Sequence, residues 1–131
     1  MIGLDTNILV RYLTFDDPVQ SPRAAGILER QLSEESPGFV GAVVLAELVW
    51  VLERQYRFRR AEIAAVIKGL LGADSLLIEH PRAAAAAVIA VVEANVDFTD
   101  AFIGAIAADS GCTHTLAFDR RASRLPGFSL A

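Results

Sequence analysis

The chain has 131 residues and a formal net charge of -4, with 53% hydrophobic and 21% charged residues. That length fits one domain, residues 1–131, with one core, and the composition excludes a disordered chain. The acidic balance argues against indiscriminate binding to polyanions and leaves room only for a local basic patch.

In chain order, Met1–Leu4 reads as a strand and Thr6–Phe15 as a helix that Thr6 can cap. Asp16-Asp17-Pro18 is a turn, and Ser21-Pro22-Arg23 places Pro just inside a helix that runs to about Leu32. Ser33–Gly38 reads as a loop, Phe39–Gly41 as a short strand and Val43–Gln55 as a strongly apolar helix. Ala61–Leu71 is the next helix, and Ser75–Ile78 is a strand that stops before His80-Pro81. Arg82–Ala94 and Asp100–Asp109 read as helices, Thr115–Phe118 as a strand, and Pro126–Leu130 as a short edge strand. Apolar strands alternating with helices predict an α/β fold with a parallel sheet covered on both faces.

The longest uncharged apolar stretch, Ala83–Val92, is too short to span a bilayer, so no membrane role is expected. No basic leader precedes Asp5, so the opening does not read as a signal peptide. A single cysteine, Cys112, excludes an internal disulfide and suits a reducing cytoplasm. Its setting before a strand reads as that of a small buried residue rather than a reactive thiol.

Four carboxylates interrupt or border apolar runs. Asp5 ends Met1-Ile2-Gly3-Leu4, Glu47 breaks Phe39–Leu52, Asp100 opens Ala101–Ala108, and Asp119 ends Thr115-Leu116-Ala117-Phe118. A carboxylate beside buried hydrocarbon is costly unless it is paired or holds a metal. Asp5 and Asp119 fall at strand C-terminal ends, the edge where ligands bind in open parallel sheets. Each also has an ordinary explanation. Asp5 can be a helix N-cap, with Thr6 and Asn7 orienting it if it also binds metal. Glu47 can pair with Arg54 or Arg11. Asp97 or Thr99 can cap the helix that Asp100 complements, Asp97 being the structural partner. Asp119 can be an exposed cap paired to Arg120 or Arg121.

Taken together, gathered carboxylates repel one another, and a divalent ion relieves that repulsion. All-oxygen ligation suits Mg²⁺ or Mn²⁺, which can activate water and steady a phosphodiester leaving oxygen. Arg120, Arg121 and Arg124, just past Asp119, are placed to meet a substrate backbone.

The segments Ile2–Leu13, Val44–Leu52, Asp97–Ile103 and Ala117–Arg120, in that order and spacing, resemble the PIN-domain ribonucleases, specifically the VapC-type toxins of bacterial toxin–antitoxin pairs. The resemblance implies a three-layer α/β/α sandwich with a central parallel sheet, commonly a homodimer. It implies an acidic pocket of Asp5, Glu47, Asp100 and Asp119, in which Asp5 and Asp100 are the principal Mg²⁺ ligands. RNA would be the substrate, and a VapB-type antitoxin would wrap the toxin and place a C-terminal segment in or near the pocket. Many relatives carry Thr or Ser where this chain has Ala117, so a hydroxyl that could orient Asp119 or a water is missing here.

Arg54-Gln55-Tyr56-Arg57-Phe58-Arg59-Arg60 interleaves cations with aromatics. It reads first as a solvated connection with Tyr56 and Phe58 turned inward, and second as an RNA-gripping segment. His80 and His114 could serve a metal-free ribonuclease but show no pairing signal, and Trp50 and Phe102 read as core. A non-catalytic RNA- or protein-binding module is the alternative function. A Mg²⁺-dependent phosphotransfer domain would need a late Lys, whereas Lys68, the only Lys, lies mid-chain.

Overall fold

The computed structural model describes residues 1–131. It contains six α-helices and five short strands, all pairings parallel, a mixed α/β arrangement consistent with the expected PIN-like α/β/α class. Two compact units emerge, one of Met1–Phe58 with Gly69–Glu79, the other of Arg59–Lys68 with His80–Ala131.

In the first unit, β1 (Ile2–Gly3), β2 (Gly38–Val40) and β3 (Leu76–Ile78) form a sheet in the order β1-β2-β3. Ile2 is in register with Gly38, which is in turn in register with Leu76. Since all three run the same way, Asp5, Gly41 and Glu79 follow the strands at one carboxyl edge.

Helix α1 (Thr6–Thr14) leaves that edge and buries Leu9 and Val10. Asp5, not Thr6, is its N-cap, in extended backbone with Oδ1 accepting from the Thr6 N–H at 2.8 Å. Helix α2 (Gln20–Gly26) runs on into a π-helical turn, Ile27–Gln31, so the predicted helix to Leu32 is real but loosens midway.

Helix α3 (Ala42–Tyr56) buries Leu45, Leu48, Val49 and Leu52, the i, i+3, i+4, i+7 spacing of an inward stripe. Gly41 has no side chain with which to cap it. The carboxylate of Glu79, arriving from the end of β3, accepts from the Ala42 N–H at 2.7 Å instead. A negative charge at a helix N-terminus is favourable there.

In the second unit, α5 (Pro81–Ala94) packs against α6 (Phe98–Asp109). Ala83, Ala84, Ala87, Val88 and Val91 face inward on α5, and Phe98 and Phe102 do so on α6, their ring centroids 5.2 Å apart. Pro81 sits in the first turn of α5, where its missing N–H costs nothing. The edge strand expected at the C-terminus is β5 (Phe128–Leu130), parallel to β4 (Thr115–Ala117), with a 3-10 turn at Ala122–Arg124 between them. Helix α4 (Arg60–Leu71) contributes its first residues to this unit and its last to the other. No helix is long and apolar enough to cross a membrane.

Several side chains lie on the other side of the surface from where the apolar runs suggested. Trp50 is 53% exposed with the Arg54 guanidinium over its ring at 5.7 Å, whereas Phe102 is core. Cys112 is exposed, in the turn that follows α6. Tyr56 and Phe58 are half-buried and Arg54, Arg57 and Arg59 exposed, as a solvated connection requires.

Gly38 is buried in the central strand, and a Cβ there would lie 2.8 Å from Cδ1 of both Leu4 and Leu32. Both leucines are themselves buried and have no way out to solvent. Gly38→Ala is therefore expected to cost about 1–3 kcal/mol of overpacking in urea denaturation. A variant as stable as the parent would contradict the packing described.

Candidate metal and nucleic-acid site

The residues singled out as an acidic pocket divide between the units. Asp5 and Glu47 belong to the first, Asp97, Asp100 and Asp119 to the second.

In the first unit neither carboxylate is buried. Asp5 is exposed, with Oδ1 occupied by the Thr6 N–H. The Thr6 hydroxyl next to it is buried without a hydrogen-bond partner, a costly state for a polar group. Asn7 is exposed.

Glu47 is exposed too, which corrects its expected place on an otherwise buried face. Val43, Glu47, Trp50 and Arg54 form the outer stripe of α3, and Val43 is 82% exposed. Burial therefore does not explain Glu47. Neither proposed ion pair forms, because Arg11 holds Asp16 at 3.1 Å and Arg54 lies over Trp50.

In the second unit, Asp97, Asp100 and Asp119 line one cleft of about 590 Å³ together with Arg60, Asn95, Arg121 and Arg124. Three local devices put the carboxylates there. Asp97 is the N-cap of α6, its Oδ2 accepting from the Asp100 N–H at 3.1 Å. This leaves Asp100 in the first turn, where the helix dipole favours its negative charge. Asp119 is exposed two residues past β4, and its Oδ1 accepts from the Arg121 N–H at 2.8 Å, closing the turn into Ala122–Arg124. Its contact is thus with a backbone amide and not with an Arg side chain. Arg121 and Arg124 border the cleft as the sequence suggested, and Arg120 does not.

Asp100 is the electrostatically strained member. Partial burial pushes its carboxyl above the usual aspartate range, Asp97 and then Asp119 add to the shift by repulsion, and Arg60 opposes it. Arg60 and Asn95 were not expected here. Arg60 was visible only as the end of the Arg–aromatic run, and nothing in the sequence ties it to Asp100.

The donor set fits a hard divalent cation, being carboxylate oxygens whose mutual repulsion a positive charge relieves. Nowhere do three or more His, Cys, Asp or Glu side chains gather closely enough to hold a metal by themselves.

Residues 2–127 match the PIN domain. The chain belongs to the PIN-domain family. The match spans both units, and PIN domains are generally metal-dependent nuclease folds, typically hydrolases acting on RNA with divalent ions such as Mg²⁺. No curated protein matches the chain at a significant level.

The raised Asp100 value links this PIN domain's stability to pH. The folded state holds a proton that the unfolded state releases, so stability falls as pH rises from the ordinary value of 3.8 through the raised folded value. Asp100→Asn removes that dependence. The variant is expected to melt higher than the parent at neutral pH, with the gain vanishing at pH values below 3.8. A loss of stability at neutral pH would contradict the strain assigned to Asp100.

Proposed function

We propose that this PIN domain is a Mg²⁺- or Mn²⁺-dependent endoribonuclease that acts in the cytoplasm as the toxin of a toxin–antitoxin pair. The observation that carries the catalytic part is the crowding of Asp97 and Asp119 on a half-buried Asp100, within a chain that matches the PIN domain. The toxin part rests on the four sequence segments that resemble VapC-type toxins. A homodimer and a VapB-type antitoxin are the partners this reading carries.

In this reading Asp5 and Asp100 are the principal metal ligands, and Glu47 and Asp119 complete the acidic set. A bound divalent ion would lower the pKa of water, orient the phosphodiester and steady the leaving oxygen. The chain's own residues do the rest. Asp97 holds the first turn of α6 through its cap, which fixes the backbone that carries Asp100. The turn closed by Asp119 carries Arg121 and Arg124 on the wall of the same cleft, where each can grip a substrate phosphate. Thr6 holds Asp5 by its backbone N–H, leaving the second carboxylate oxygen for a ligand.

End-labelled structured RNA, incubated with Mg²⁺, Mn²⁺ or EDTA, tests the reading. Metal-dependent cuts leaving 5′-phosphate and 3′-hydroxyl ends are expected from the parent. Asp5→Ala and Asp100→Asn should each slow them by on the order of 100-fold, the scale of losing one electrostatic stabiliser of a transition state. Millimolar Mg²⁺ should also raise the melting temperature of the parent. Cuts that survive EDTA and leave cyclic phosphates would overturn the metal mechanism and turn attention to His80 and His114.

A further inference from the structure

Arg60 is the first residue of α4, and its guanidinium Nη1 donates to the main-chain carbonyl of Asn95. Asn95 is the C-cap of α5, in left-handed backbone, and α5 has no basic residue in its own last turn. Carbonyls at a helix C-terminus lack intrahelical partners and carry partial negative charge. Arg60 thus supplies from another element the cation that α5 lacks.

The neighbouring arginine behaves differently. Arg59 is exposed and pairs with Glu62 at 3.3 Å, so its charge is neutralised locally. Arg60 is half-buried, and its contact is to a carbonyl and not a carboxylate. Its positive charge therefore remains available, on the wall of the cleft that holds Asp97, Asp100 and Asp119. A guanidinium has five N–H donors in a rigid fork, so one contact to a carbonyl fixes its position and leaves donors to spare. Such a fork matches a phosphate bidentately.

We propose that Arg60 is a phosphate-binding residue of the acidic cleft, clamped by the Asn95 carbonyl so that its free donors meet the RNA backbone beside Asp100. This rests on the ribonuclease reading above and adds to it a residue that the acidic motifs do not contain. Electrostatics support the placement, because a cleft of aspartates alone would repel a polyanion, and Arg60 with Arg121 and Arg124 offsets that repulsion along the wall. A phosphate contact carries no base information, so Arg60 is expected to strengthen binding uniformly across sequences.

The test uses short fluorescent RNAs of several sequences, the full chain carrying Asp100→Asn to prevent cleavage, and Mg²⁺ throughout. Adding Arg60→Gln should weaken binding severalfold for every sequence and make the dependence of log Kd on log salt shallower by about 0.7, the share of one phosphate contact to a single strand. Arg60→Lys should restore that slope while binding less tightly, since an ammonium is a point charge without the fork. Arg82→Gln, on exposed α5 surface, should leave the slope unchanged.

A purely structural role for Arg60 would lower the melting temperature and leave the slope intact. An unchanged slope in folded Arg60→Gln overturns the proposal. Phenylglyoxal modification of the unsubstituted protein, read peptide by peptide, needs no variant at all. RNA should shield Arg60 and not Arg82, and equal labelling with and without RNA overturns the proposal. The two readings fail separately. If the parent cleaves RNA but neither slope nor labelling responds at Arg60, the Arg60 assignment alone falls. If the unsubstituted protein neither binds nor cleaves RNA in Mg²⁺, both fall.

Discussion

Asp100 is held where water reaches it only partly and where two other carboxylates press on it, and the reading of this protein depends on that crowding. A side chain so placed is stabilised by a proton or by a cation. Ordinary stability would be better served by an amide or an apolar group. The surrounding structure maintains the crowding. Asp97 is fixed by capping α6 and Asp119 by closing the turn after β4, so neither is free to swing away from the cleft without giving up a backbone hydrogen bond. Arg60 moderates the repulsion without forming an ion pair with Asp100, and its own position is set by the C-terminus of α5.

The fold sets several of its carboxylates at chain reversals. Parallel strands must be joined by crossovers, and three of the strands here are followed within two residues by a carboxylate, β2 being followed by Gly41 instead. Asp5 after β1 and Asp119 after β4 accept from main-chain N–H groups, as does Glu79 after β3. The same oxygen chemistry that satisfies a helix or turn start also suits a hard cation, so one residue type answers both demands at these junctions.

Much of the fold was legible because period and punctuation agree. The stripe of Leu45, Leu48, Val49 and Leu52 makes α3 a helix whatever lies on its outer face, and His80-Pro81 marks the start of α5. The caps Asp5 and Asp97 were legible as well, since Asp before a helical run has few other local roles. Exposure was not. Val43 and Trp50 are large apolar residues on the outer stripe of α3, and their hydrophobicity made Glu47 between them look buried. Apolar residues cover much of any protein surface, so a continuous apolar run does not by itself say which face is inward. The contacts of Glu79 with Ala42 and of Arg60 with Asn95 join residues 37 and 35 positions apart, and no local pattern encodes such a pairing. The segments that resembled a PIN nuclease carried the family correctly; three of them lie at strand ends and helix starts, where side-chain chemistry and backbone geometry constrain each other, and the fourth, Val44–Leu52, lies within α3.

The central claim is that Asp100 is strained by partial burial and by like charge, and that a divalent cation would relieve it. Carboxyl ¹³C NMR of selectively labelled aspartate, titrated against pH with and without Mg²⁺, observes that group directly. The account predicts an Asp100 resonance that titrates above the ordinary aspartate range in metal-free protein and moves down when Mg²⁺ is added. An Asp100 that titrates in the ordinary range and ignores Mg²⁺ would contradict it.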